Sequence, residues 1–108
     1  MYVLVRKDLS TPQISVQACH ACIEACRSFI TNTSDHPHLV LLGVKGEQQL
    51  YNSARKLDKA GVQYRIFTEP DRNGEATALA TEPIFGEQRH LFRSYRCLGD
   101  TAPTQEVA

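Results

Sequence analysis

The chain has 108 residues, of which 42% are hydrophobic, and its 12 basic and 12 acidic residues give a net charge of zero. This size and composition predict one globular domain at residues 1–98, followed by a disordered tail at 99–108. The sequence shows neither an apolar run of about 18 residues nor a charged leader, so we expect no membrane span and a cytoplasmic location. The neutral charge argues against a generally basic nucleic-acid-binding protein, although local basic surfaces remain compatible with it.

The first predicted element is a buried strand at residues 3–7 that becomes polar at its carboxyl end. Ser10 or Thr11 can serve as the N-cap of a following helix, and Pro12 suits its first turn, where a missing N–H costs nothing. We expect this helix to end near residue 30. Its apolar residues form two adjacent rows that together predict a wide buried face. The rows are Val16, Cys19, Ile23, Cys26 and Ile30, and Ala18, Cys22, Ala25 and Phe29.

A polar stripe follows the same helix at intervals of four, three and four residues: Gln13, Gln17, His20 and Glu24. That spacing places the four side chains on one helical face. Because this face starts at the end of a strand, the stripe predicts a partly exposed reactive cleft.

Three further strands and two further helices are predicted, at residues 38–44, 62–68 and 76–81 and at residues 47–60 and 86–98. Gly61 suits the C′ position after the second helix, and residues 69–74 form a turn-rich loop. The order β-α-β-α-β-β-α predicts an α/β fold, a three-layer α-β-α sandwich with a mixed four-stranded sheet. Ligands of such sheets usually bind at the carboxyl ends of the strands, and we expect that edge to gather Lys7, Asp8, Glu69, Asp71 and the start of the first helix.

Three segments of the chain resemble a known family. VRKDL at residues 5–9 is similar to V-R-x-D-L, and VQACHA at 16–21 is similar to A-Q-C-S-H-A. GEATALATEP at 74–83 is similar to G-T-x-T-V-L-G-I-G-P. These motifs, in the same element order, are those of type 2 peptidyl-tRNA hydrolases, so the chain resembles that family from residue 3 to about residue 98.

Two positions depart from the family pattern. The family carries a lysine in G-K-x-A-A-Q at the start of the first helix, where this chain has Gln13. The family loop D-A-G-x-T-Q-I-x-x-G is shortened here to residues 69–74, and Asp71 matches its aspartate only with that shortening. The residues that carry over by position are Asp8, Gln17, His20, Gly74 and Thr77.

The resemblance implies an esterase that splits the bond between a peptide and tRNA, with tRNA as partner and with a homodimer as the assembly. We expect the reaction to need no metal and no cofactor. The expected catalytic residues are Lys7, His20 and Asp71: a histidine ordinarily titrates near neutrality, and the lysine would supply the charge that the family's lysine brings. Backbone N–H groups at residues 11–13 could bind an oxyanion. The expected substrate-binding residues are Asp8, Gln13, Gln17, Thr77, Arg89 and Arg93.

Each of these residues also has a structural interpretation. His20 can be a solvated histidine, Lys7 and Asp8 can form an ion pair, and Asp71 is a common turn former. Arg89, Arg93 and Arg96, spaced by four and three residues, can form a solvated stripe on the third helix. The alternative function is therefore a binding module of the same fold that holds RNA or a protein partner after losing its catalytic set.

The four cysteines allow a third hypothesis, a thiol or metal protein, which we rank last. Cys19, Cys22 and Cys26 follow a C-x2-C-x3-C spacing, but all three fall on the apolar rows of the first helix. That position predicts small side chains packed against the sheet. A fourth ligand would have to be the distant Cys97, and disulfides are not expected in a cytosolic chain.

Overall fold

One mixed sheet is the centre of the computed structural model, which describes residues 1–31 and 36–99. Its strands are β1 (Tyr2–Arg6), β2 (Val40–Val44), β3 (Tyr64–Glu69), β4 (Glu75–Thr81) and β5 (Arg96–Cys97). The α-helices are α1 (Thr11–Phe29) and α2 (Glu47–Ala60), and two 3-10 helices span Pro70–Arg72 and Gly86–Phe92. The predicted tail at 99–108 lies, apart from Gly99, outside the described residues.

The strand order is β3-β4-β1-β2-β5. β1 and β2 are parallel, whereas the pairs β1–β4, β3–β4 and β2–β5 are antiparallel. The α/β fold with a mixed sheet is thus confirmed, but the prediction of four strands is wrong because β5 adds a fifth.

The segment at residues 86–98 was predicted as a third α-helix, and this prediction is wrong. A 3-10 helix ends at Phe92, and β5 then pairs with β2, with the Leu98 N–H donating to the Leu41 carbonyl over 2.9 Å. Contacts with the rest of the fold explain the difference. Phe92 is buried in the core, and Tyr95 forms a 2.7 Å hydrogen bond with Ser53 of α2. These distant partners outweigh the helical spacing of the arginines.

Local signals place both α-helices. Ser10 is the N-cap of α1, where its hydroxyl accepts the Gln13 N–H over 3.4 Å, and Pro12 stands in the first turn. Gly61 follows α2 in the left-handed region at φ 73°, which a glycine adopts without steric cost. The predicted limits of α2 are confirmed, and those of α1 agree to within one residue.

The helices cover opposite faces of the sheet and so form the three predicted layers. Leu4 and Leu79 pack with the buried residues of α2, including Leu50 and Leu57. Their sheet neighbours Val3, Val5, Ala78 and Ala80 pack on the other face with α1. None of the helices within residues 1–31 and 36–99 is long and apolar enough to span a membrane.

α1 meets the sheet through the second of its two predicted apolar rows, which contains Ala18 and Ala25, and through Gln17 and Ala21, which lie outside both rows. Its buried residues are Gln17, Ala18, Ala21 and Ala25. Val16 and Ile23, predicted to be buried, are 46% and 53% exposed. Small side chains explain the choice, because alanines on the helix can approach the sheet alanines Ala78 and Ala80 closely.

Candidate functional site

A β-bulge in β4 turns the Thr77 side chain toward α1. Phe67 of β3 is opposite Ala78 and Thr68 is opposite Ala76, so Thr77 is an extra residue with no partner in the β3 register. Ala76 therefore packs on the α2 face, whereas the Thr77 side chain reaches α1 on the other face. Bulges of this kind redirect a side chain at the point where pairing is interrupted.

Gln17 is the centre of a hydrogen-bond network at the start of α1. It is only 1% exposed, and its Oε1 accepts a 2.6 Å bond from the Thr77 hydroxyl. Its Nε2 donates to Gln13 Oε1 over 3.2 Å and to Glu69 Oε2 over 3.0 Å. The donor on β4 thus orients the Gln17 amide, and the amide in turn holds Gln13 and Glu69.

Glu69 ends β3 beside this network. Besides the bond from Gln17, it accepts the Asp71 N–H at Oε1 over 3.3 Å. The Gln17 hydrogen bond lowers the pKa of the Glu69 carboxyl, and the Asp71 N–H together with the nearby His20 and Arg72 lowers it further. The carboxylate is therefore ionised at neutral pH.

His20 lies about one turn after Gln17 and stacks on Phe67 of β3. The ring centroids are 4.4 Å apart and the planes differ by 4°. Both residues are half-buried. The stripe predicted on α1 therefore divides in depth, since Gln17 is buried, His20 is half-buried and Gln13 is exposed.

A buried arginine organises the neighbouring end of β1. Arg6 is 6% exposed and binds both oxygens of Asp8, at 2.9 and 2.8 Å, and Glu75 at 2.8 Å. Its Nη1 also donates to the Ala76 carbonyl beside the bulge. These bonds raise the pKa of Arg6 and lower those of Asp8 and Glu75. The suggested Lys7–Asp8 ion pair is wrong, because Asp8 pairs with Arg6.

Lys7 points toward β2. A Cβ built on Gly43 would lie 2.7 Å from Lys7 Cδ, so the lysine stem crosses the face of that glycine. Gly43 belongs to β2, whereas the Gln17 network lies over β3 and β4, on the other side of β1. The lysine stem therefore lies over β2, and the hydrogen bonds that join Gln17 to Thr77 and Glu69 do not include it.

The structure brings some of the predicted site residues together and separates others. Gln13, Gln17 and Thr77 share the network, while Asp71 contributes its backbone N–H. The two arginines predicted on the third helix do not join it. Arg89 lines a cavity of about 370 Å³ at the opposite end of the sheet, with Met1 and Phe29, and Arg93 contacts His90.

The predicted oxyanion site at residues 11–13 has fewer backbone N–H donors than expected. Pro12 has no N–H, and the Gln13 N–H is taken by the Ser10 hydroxyl. The first turn therefore retains little of the predicted donor set.

No site role was predicted for Arg6, Phe67 or Glu69, although Glu69 was placed at the ligand-binding edge of the sheet. A signal for two of them exists in the alternation of the third strand, since Arg65, Phe67 and Glu69 occupy every second position and so share one face. The burial of Arg6 had no such signal, because charged residues near strand ends are usually solvated.

The cysteines are arranged differently from the prediction. Cys19 and Cys26 are exposed, and only Cys22 is half-buried, where burial raises the pKa of its thiol. The prediction that all three pack against the sheet is wrong for Cys19 and Cys26. In residues 1–31 and 36–99, no group of three or more His, Cys, Asp or Glu side chains is placed to hold a metal ion.

The fold and the site define a small α/β protein whose candidate centre consists of amide, hydroxyl and carboxylate groups. The profile of the family Peptidyl-tRNA hydrolase PTH2 matches residues 1–91. The chain therefore belongs to the type 2 peptidyl-tRNA hydrolase family, and the resemblance carried by the three sequence motifs is confirmed. A search of the curated proteins gives no match.

Proposed function

We propose that the chain is a peptidyl-tRNA hydrolase that cleaves the ester between tRNA and a peptide or blocked amino acid. The observation that carries the proposal is the contact of Gln17 with Glu69, which sets an ionised carboxylate beside the first helix in a member of this family. Ester hydrolysis requires a group that orients or deprotonates water and a donor for the developing oxyanion.

Glu69 is the residue that we assign to the water. An ionised carboxylate has about four acceptor sites, and the two hydrogen bonds described above come from Gln17 and the Asp71 N–H. A further site can accept the proton of a water that attacks the ester carbonyl. The proton then passes to the departing ribose oxygen. We prefer Glu69 to Asp71 because Asp71 joins the network through its backbone alone.

Gln13 is the residue that we assign to the oxyanion. Its Oε1 accepts from Gln17, so its own amide NH₂ is turned away from Gln17, and the side chain is exposed to a ligand. A neutral amide stands where the family has a lysine. Because neutral donors form weaker hydrogen bonds to anions than charged donors do, we expect slow turnover.

Thr77, Asp8 and Arg6 serve in this proposal as positioning residues. Thr77 orients the Gln17 amide. Arg6 binds Asp8, Glu75 and the Ala76 carbonyl, which lies beside the bulge that turns the Thr77 side chain toward α1. Lys7, Arg89 and Arg93 receive no role at the ester, because the first points to β2 and the others lie outside the Gln17 network.

The test is hydrolysis of an N-acetyl-aminoacyl-tRNA by the purified protein beside Glu69→Gln and Asp71→Asn. Both substitutions remove one carboxylate and keep its shape. We expect Glu69→Gln to lose about 100-fold or more in kcat, as for a lost general base, whereas Asp71→Asn stays close to the parent. Equal losses in both variants would contradict the assignment to Glu69.

Absence of turnover by the parent protein would show that the hydrolase proposal is wrong. Filter binding of uncharged tRNA then tests the second candidate, a binding module, which is favoured by Gln13 at the family's lysine position. Retained tRNA binding without hydrolysis would support that candidate.

A further inference from the structure

Three alternate residues of β3 face α1 and contact it at successive heights. Glu69 meets the helix through its carboxylate, Phe67 through its ring and Arg65 through its guanidinium. Alternate residues of a strand lie about 7 Å apart, and β3 is the edge strand of the sheet. The line of contact between α1 and β3 therefore carries an acid, an aromatic pair and a cation at regular spacing.

The aromatic pair consists of Phe67 and His20. With centroids 4.4 Å apart and planes within 4°, the two rings are nearly parallel. His20 is partly exposed. A partly exposed flat ring, supported from behind by a second ring, is the kind of surface on which a splayed-out RNA base stacks.

We propose that His20 on Phe67 forms the stacking platform for the terminal nucleobase of the tRNA, with Arg65 at the adjoining phosphate. This inference rests on the proposed function, since it places the base next to the assigned hydrolytic residue. The scissile ester is attached to the ribose of the last nucleotide, so the base of that nucleotide must lie close to Glu69. Phe67 is two residues from Glu69 on the same face of the strand, a separation of about 7 Å.

Arg65 occupies the next position in the row. Its Nε donates to Ser28 over 2.8 Å, and its guanidinium carbon lies 5.9 Å from the centre of the Phe29 ring. The residue is exposed, and these contacts hold its charge at the outer edge of the contact between α1 and β3. A guanidinium in this position suits an RNA phosphate one step from the stacked base.

A stacking role and a proton-transfer role for His20 make different demands. Stacking depends on the flat ring and does not require a titratable nitrogen, so His20→Phe should preserve it. His20→Leu keeps apolar bulk but removes the π face, so it should abolish stacking. Phe67→Leu makes the same change from the strand side and provides a second variant should His20→Leu fail to fold.

The experiment measures binding of a short RNA that carries no amino acid and ends in 2-aminopurine. The fluorescence of 2-aminopurine is quenched when the base stacks. We expect the parent and His20→Phe to quench the probe and to bind it with similar affinity. His20→Leu and Phe67→Leu should lose the quenching and bind about 5- to 150-fold more weakly, the usual contribution of one stacked base. Arg65→Gln should keep the quenching. It should reduce the slope of log K against log salt concentration by about one, as expected for the loss of one phosphate contact.

The platform is disproved if the folded leucine variants quench and bind like the parent, or if His20→Phe behaves like His20→Leu. Since the probe carries no ester, the result is independent of hydrolysis. Quenching without hydrolase activity would overturn the proposed function and leave the platform intact. Hydrolysis without quenching would support the proposed function and disprove the platform.

Discussion

The hydroxyl of Thr77 donates a 2.6 Å hydrogen bond to the side-chain carbonyl of Gln17, 60 residues earlier in the chain. Thr77 has no accessible surface and Gln17 is 1% exposed, so water cannot replace either partner. The bond fixes which end of the Gln17 amide faces outward. The bulge in β4 is thereby coupled to the positions of Gln13 and Glu69.

Replacing Thr77 by valine should weaken the fold. Valine fills nearly the same volume but leaves the buried Gln17 carbonyl without a donor, which costs about 1–3 kcal/mol in unfolding free energy. Urea denaturation measures this loss. Thr68→Val on the neighbouring strand is the control, because Thr68 is exposed and its replacement should change stability by less than about 0.5 kcal/mol. Equal effects at the two sites would contradict the importance of the hydrogen bond.

The pH dependence of hydrolysis should identify the base. Because the folded protein lowers the pKa of Glu69 from its ordinary 4.5, this carboxylate is ionised at all pH values above that. The kcat/KM should therefore stay level from about pH 5.5 to 8 and fall only as the solution becomes more acidic than pH 4.5. An inflection near about pH 6.5, the ordinary histidine range, would refute the role of Glu69.

Restoring the family's lysine should accelerate the reaction. In Gln13→Lys a charged donor replaces a neutral one, and the difference of about 1 kcal/mol between such hydrogen bonds corresponds to about a fivefold rise in kcat. Single-turnover kinetics with saturating enzyme measures this step. Gln48→Lys adds the same charge on α2, where Gln48 contacts Asn52, and should leave the rate unchanged. An increase in both variants would point to a general effect of charge.

Acid should destabilise the protein partly through Asp8. The Arg6 guanidinium lowers the pKa of Asp8 below its ordinary 3.8, so the unfolded chain binds this proton more readily than the folded chain. The ion pair thus contributes stability above pH 3.8, and this contribution is lost as the pH falls through the lower folded value. Asp8→Asn should show a smaller drop in urea midpoint between about pH 5 and pH 2 than the parent. Asp71→Asn, which removes a carboxylate outside this ion pair, should drop as the parent does.

The three cysteines of α1 should react at different rates. Cys19 and Cys26 are exposed, whereas Cys22 is half-buried and burial raises its pKa from 9.0. Since the thiolate is the reactive form, Cys22 should be modified more slowly by a disulfide reagent at neutral pH. Removing Cys22 by alanine substitution should abolish a slow phase, and Cys19→Ala should reduce the fast one. A fast phase that is lost with Cys22 would contradict the observed burial.

Much of the fold follows from local features of the sequence. The ends of α1 and α2 depend on Ser10 and Gly61, which act on their own neighbours through a side-chain cap and a left-handed backbone. The family assignment likewise depends on short motifs, and the profile match over residues 1–91 agrees with it. Gln17 was predicted as a site residue from its place in the helical stripe, and it lies at the centre of the hydrogen-bond network, although its burial was not foreseen.

Tertiary structure decided which of these local possibilities were used. Helical spacing predicted two apolar rows, but the sheet packs against the row of Ala18 and Ala25, together with Ala21, and leaves Val16 and Ile23 of the other row exposed, since close approach depends on a matching surface. β5 pairs with β2 at the edge of the sheet, and the burial of Phe92 and the Ser53–Tyr95 hydrogen bond hold the segment there. Gln17 contacts Thr77, 60 residues away, and Glu69, 52 residues away. The periodicity of a sequence predicts which residues share a face of one helix or strand. Contacts between residues at such separations are decided by how the helices and strands pack.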